Sequence, residues 1–83
     1  MRLLYFGWVR SRIGVGGEDV SPPAEIADVR GLIAWLAARG KGYADAFADL
    51  RVVRVAVNQE MADLDAAVKH GDEVALFPPM TGG

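Results

Sequence analysis

Few residues in this sequence could do chemistry, and their types narrow the possibilities early. The 83 residues include no cysteine, which excludes disulfide staples, a thiolate metal cage and a catalytic or persulfide-carrying thiol. The one histidine, His70, stands beside Gly71-Asp72 in a predicted turn and reads as a solvated loop residue, not a general base. Asp63 and Asp65 are spaced like cation ligands, but the calcium-loop pattern of acidic residues around a central glycine is missing, so they read as exposed charges. Gly14, Gly16 and Gly17 look superficially like a phosphate cradle. No Lys-Ser/Thr pair follows and no helix is expected to open there, so a glycine-rich hairpin is the better reading.

What remains is the ending Phe77-Pro78-Pro79-Met80-Thr81-Gly82-Gly83. Two prolines cannot donate to a sheet ladder and favour an extended conformation, so residues 78–83 are expected to project from the domain as a flexible tail. Gly82 and Gly83 carry no side chains and could thread a narrow channel in another protein. A free α-carboxylate on Gly83, with a pKa near ~3.5, would be ionised at neutral pH. It could attack the α-phosphate of ATP, and the resulting acyl adenylate would accept sulfur or an amine. The plain alternative is a frayed, glycine-rich end. With 10 glycines in 83 residues, a terminal pair arises by chance roughly once or twice in a hundred.

The elements that would position this tail follow from periodicity. Arg2 to Trp8 reads as a central strand, apolar on both faces, with Leu3 and Tyr5 on one and Leu4 and Phe6 on the other. Glu18 to Ser21 pairs back as a short second strand until Pro22-Pro23. Asp28 is a good N-cap for a helix whose stripe is Val29, Leu32, Ile33, Leu36 and Ala37, with Gly40 as its stop. Gly31 inside that helix implies close packing or tolerance, and Trp35 covers a core edge. Tyr43, Phe47 and Leu50 make a short helical turn that plugs the core. Val52 to Val57 alternates as a strand, Asn58-Gln59 turns the chain, and Met61-Ala62 returns as a strand stub. Leu64 and Val68 anchor a connector, and a last strand through Val74 and Leu76 closes at Pro78-Pro79.

Strand, strand, helix, strand, short strand, strand is the pattern of an α+β ubiquitin-like β-grasp. It predicts a mixed sheet covered on one face by one main helix, with residues 1–83 forming a single domain that ends in the projecting diglycine tail. Leu4, Phe6, Ala56, Ala75 and Phe77 then fall on the open face, which is unusually apolar.

Composition agrees with a folded domain: 52% of residues are hydrophobic and 24% charged, far from the disordered class. A net charge of −2 supplies no basic field for a nucleic acid or an anionic membrane. Met1 to Trp8 lacks a charged leader and a cleavage site, and no stretch approaches the ~20 apolar residues of a membrane span. A cytoplasmic protein is the expectation.

On Leu3-Leu4-Tyr5-Phe6 with Val9-Arg10, Ala56-Val57-Asn58-Gln59, and Gly71-Asp72-Glu73-Val74-Ala75-Leu76-Phe77-Pro78-Pro79-Met80-Thr81-Gly82-Gly83, the sequence resembles the MoaD family, the small sulfur-carrying subunits of molybdopterin synthase. The resemblance implies a sulfur carrier with no catalytic site of its own. In that family the terminal glycine, here Gly83, is adenylated by a ubiquitin-activating-type adenylyltransferase and converted to a thiocarboxylate by a sulfur donor system. It is then inserted into the large synthase subunit, with Thr81 and Gly82 in the channel. Sulfur passes there to cyclic pyranopterin monophosphate, forming the dithiolene of molybdopterin. No cofactor is bound by the carrier, and ATP is consumed by the activating enzyme. The family's partner surface maps onto Phe6, Met61 and Phe77, with Leu4 close by, and its assembly is a heterotetramer of two carriers flanking two large subunits. Trp8 departs from the pattern, being bulky and apolar where a polar residue is ordinary. Carriers for thiamine synthesis or tRNA thiolation, and ubiquitin-like protein modifiers, share the fold and the diglycine.

Overall fold

The computed structural model describes residues 1–79, which form a five-stranded sheet in the order β2-β1-β5-β3-β4. The strands are β1 (Arg2–Tyr5), β2 (Gly17–Asp19), β3 (Arg54–Val57), β4 (Glu60–Ala62) and β5 (Glu73–Phe77). The helices are α1 (Gly7–Ile13), α2 (Val29–Ala37) and α3 (Lys41–Ala46), with a 3-10 turn at Leu50–Val52. Central β1 and β5 run parallel, while every other pairing is antiparallel. This is the expected mixed β-grasp sheet with α2 as the main helix.

Alternation sorts the strands as the sequence implies. Leu3, Tyr5, Val55, Val74 and Leu76 are buried against the helices. Val29, Leu32, Ile33 and Leu36 of α2 close over them from above. Removing each such side chain from water contributes about 1.5–3 kcal/mol. The Asp28 carboxylate caps α2, accepting from the Gly31 amide at 2.7 Å. A Cβ on Gly31 would lie 3.0 Å from that same carboxylate oxygen, so the glycine leaves room for the cap.

Two expectations are corrected. The first strand ends at Tyr5, not Trp8, because Gly7 takes a left-handed φ of +59° and the chain turns into α1. Gly14, in turn, is the left-handed cap of α1, its amide donating to the Arg10 carbonyl at 2.8 Å. Gly40 is not the left-handed stop of α2; the helix ends on Ala38 in ordinary helical geometry, and Gly40, extended, leads into α3. The Asn58-Gln59 turn is as expected, both residues adopting positive φ, 51° and 69°.

Candidate docking face and tail root

The strand register assembles the open face from residues far apart in sequence. Leu4 lies opposite Ala75, Ala75 opposite Ala56, and Ala56 opposite Met61. These four side chains form one row across the sheet, spanning about 14 Å at ~4.8 Å per strand. The two alanines make its middle shallow, so Leu4 and Met61 stand as walls to an apolar trough. In the next row Phe77 faces Arg54 across β3 and β5. Phe6 follows β1 on the same side, its amide held by the Leu76 carbonyl at 3.2 Å. Phe6 is 49% and Met61 68% exposed, while Leu4 and Phe77 are half-buried. All four predicted face residues therefore stand on one side of one sheet.

The last described residues continue that face. Phe6, Gly7, Phe77, Pro78 and Pro79 line an open apolar groove of about 420 Å³. A Cβ on Gly7 would come 2.6 Å from Pro78 Cγ, so the bare backbone is where the first proline ring seats. Thr81, Gly82 and Gly83 lie outside the described residues, as does Met80.

The edges of the face are charged. Arg54 turns its guanidinium onto the carbonyls of Arg51 and Val53, at 3.1 and 3.3 Å. At the other end, Arg2 reaches Asp19 at 3.6 Å, a solvated pair of small energetic weight. The rejected candidates stay apart from it. His70 lies near Met1, Pro22 and Lys69 at the start of β5, the end of the sheet away from Pro78. Asp63 accepts from the Asp65 amide at 2.9 Å and Asp65 pairs with Arg30 at 3.3 Å.

Sequence reasoning missed the helix α1 and what it places beside the tail root. Trp8 and Arg12, one turn apart, stack with the guanidinium 4.5 Å from the ring centroid. The available signal was the Gly14 cap with Arg10 and Arg12 in the turn before it.

A mixed five-stranded sheet covered on one face by helices, with β1 and β5 parallel at its centre, defines a ubiquitin-like β-grasp protein. Residues 3–83 match the ThiS family, and the chain belongs to it. The molybdopterin synthase sulfur carrier subunit of Haemophilus influenzae is 36% identical over 83 residues, covering 100% of this chain and 99% of that one. Among solved structures, SAMP1 from Haloferax volcanii is 29% identical with a TM-score of 0.72, covering 100% of this chain and 98% of that one. The complex of subunits 1 and 2 of the molybdopterin-converting factor from Helicobacter pylori contains a chain 25% identical, with a TM-score of 0.64, covering 99% of this chain and 96% of that one.

Proposed function

We propose that this chain is the sulfur carrier subunit of a molybdopterin synthase. The observation that carries the reading is the continuity of the apolar face with the root of the diglycine tail, through Phe77 and Pro78. A partner that grips the face receives the tail in a fixed direction. The full-length likeness to a sulfur carrier subunit of that synthase supports the same assignment.

The chemistry belongs to the Gly83 carboxylate. An oxygen of that carboxylate attacks the α-phosphate of ATP in the activating adenylyltransferase, pyrophosphate leaves, and the acyl adenylate forms. Sulfide-level sulfur from a donor system attacks the acyl carbon, the bond to AMP breaks, AMP departs and a thiocarboxylate remains. Delivered into the large subunit, it transfers sulfur to cyclic pyranopterin monophosphate, and two such deliveries build the dithiolene. The carrier contributes no general base and no bound cofactor. It supplies an extended backbone without side chains at Gly82 and Gly83, and its setting is the cytoplasm.

A second reading, in which Gly83 is joined to a lysine amine, draws on the likeness to the Haloferax protein, a small archaeal modifier protein. Incubation with ATP, the activating enzyme and a sulfur donor separates the two. The expected result is an intact-mass gain of one sulfur for one oxygen, lost on deleting Gly83, and dithiolene formation once the large subunit and the pyranopterin are added. Isopeptide-linked conjugates without pterin product would favour the modifier, and sulfur transfer by the Gly83-deleted chain would refute the mechanism.

A further inference from the structure

The tail root has a second flank that the proposed function does not use. Trp8, Arg12, Val52, Pro78 and Pro79 line a groove of about 540 Å³. Val52, a large aliphatic residue, is 39% exposed there. Arg12 lies over the Trp8 ring, and among the described residues its guanidinium makes one hydrogen bond, a long contact of 3.5 Å to the Asp45 carbonyl. Among the described residues no carboxylate pairs with it. A guanidinium packed over an aromatic ring is pre-ordered for a carboxylate, because less side-chain freedom is lost when the pair forms.

Continuity indicates what covers this groove. Pro78 and Pro79 line both it and the apolar groove beside Phe6 and Phe77, so the two surfaces flank the place where the described chain ends. A protein that grips the open face and takes up the tail passes over Pro78 and Pro79, and the apolar surface contiguous with them on the other flank is the Trp8 groove.

We propose that the large synthase subunit also docks on this groove, through an apolar segment bearing a carboxylate. The aliphatic part packs against Trp8, Val52 and Pro79, and the carboxylate takes the outward edge of Arg12. This rests on the carrier reading, and it makes Trp8 and Arg12 specificity determinants: a large subunit lacking an acidic group at that point would leave the arginine desolvated and unpaired.

The test measures affinity for the purified large subunit by calorimetry, comparing the parent with Arg12→Glu, Trp8→Gln and Phe77→Glu. Lys69→Glu, at the opposite end of the sheet, controls for charge. Arg12→Glu should weaken binding by about tenfold or more and flatten its salt dependence, with only a small drop in melting temperature from the lost ring stacking and the acidic residue in the last turn of α1, while Lys69→Glu binds like the parent. Trp8 is half-buried, so Arg12→Glu is the deciding variant if Trp8→Gln loosens the fold. Parent-like binding by Arg12→Glu alongside loss by Phe77→Glu would overturn the groove and leave the carrier reading standing. An effect confined to the activating enzyme would overturn it too. A parent that acquires no thiocarboxylate would sink the carrier reading itself, and the groove with it.

Discussion

The hydroxyl of Tyr5 donates to Glu18 Oε2 at 2.7 Å, tying the buried end of β1 to the edge strand β2. The same oxygen accepts from Tyr43 at 2.6 Å, and Arg39 approaches the other at 3.3 Å. One carboxylate thus joins β2 to β1, α3 and the chain leaving α2. Burial pushes Glu18 up, but the two hydroxyls and the guanidinium outweigh it and hold the carboxyl below its usual range. Burial first, then Glu18, pushes both tyrosines above the usual phenol range.

The pH dependence follows from those directions. A lowered carboxyl contributes stability that is present above its unfolded pKa of ~4.3 and lost as pH falls through the folded value. Raised phenols contribute stability that is present below ~10 and lost as pH rises toward their folded values. Glu18→Gln should lower stability near neutral pH by about 1–3 kcal/mol and remove its share of the acid limb. The alkaline limb should persist in part, since burial is the larger cause for Tyr5. Thermal melts across the pH range would show this, and superimposable acid limbs would contradict it.

Gly42 lets α3 meet α1. A Cβ there would come 2.5 Å from the Arg12 carbonyl oxygen, and backbone cannot step aside as a side chain can. Gly42→Ala is expected to lose about 1–3 kcal/mol through overpacking, although alanine favours helix by ~1 kcal/mol. A denaturant midpoint equal to or above the parent's would show that the helices separate freely.

Asn58 combines a positive φ with two side-chain bonds to the start of β5. Its amide donates to Asp72 at 3.1 Å and its oxygen accepts the Glu73 amide at 3.0 Å. Asp72 is buried, and the Asn58 hydrogen bond, followed by the Lys69 amide, holds its carboxyl below the usual range. Asn58→Gly should cost the hydrogen bonds alone, about 1–2 kcal/mol. Asn58→Ala should cost ~1 kcal/mol more for the left-handed backbone. Equal unfolding free energies for the two variants would remove the backbone contribution.

On the open face, Phe77→Glu places a carboxylate opposite Arg54, a cross-strand pair the free protein tolerates. The variant should melt with the parent and bind the large subunit at least about tenfold more weakly, because the charge would be buried on docking. Met61→Ala, on the edge strand, should show a smaller loss. Parent-like titrations for Phe77→Glu would remove this residue from the interface.

Much of this architecture was legible in the sequence wherever a periodic run is long enough to show its face. The α2 stripe, the alternation in β3 and β5, the Asp28 cap and the Asn58-Gln59 turn are local patterns, and their register then determines the row from Leu4 to Met61. The helix α1 was not legible because it buries only Val9, too little for a stripe, and it follows apolar residues that continue the strand pattern. The Glu18 cluster joins residues 13 and 25 positions apart, and no local pattern announces such a meeting. Arg12 over Trp8 has helical spacing but becomes visible only once α1 is known.

The parallel pairing of β1 with β5 has a mechanical consequence. A pull on the carboxyl end, such as a partner exerts in drawing the last residues into a channel or releasing them, loads the β1–β5 ladder along its length. Its cross-strand bonds then share the force together instead of opening one after another, as they would if the end strand peeled from an edge. With β3 bonded along its other side, β5 resists on two fronts. A chain held by its open face and pulled by its end would therefore shear along β5 instead of unzipping from that end.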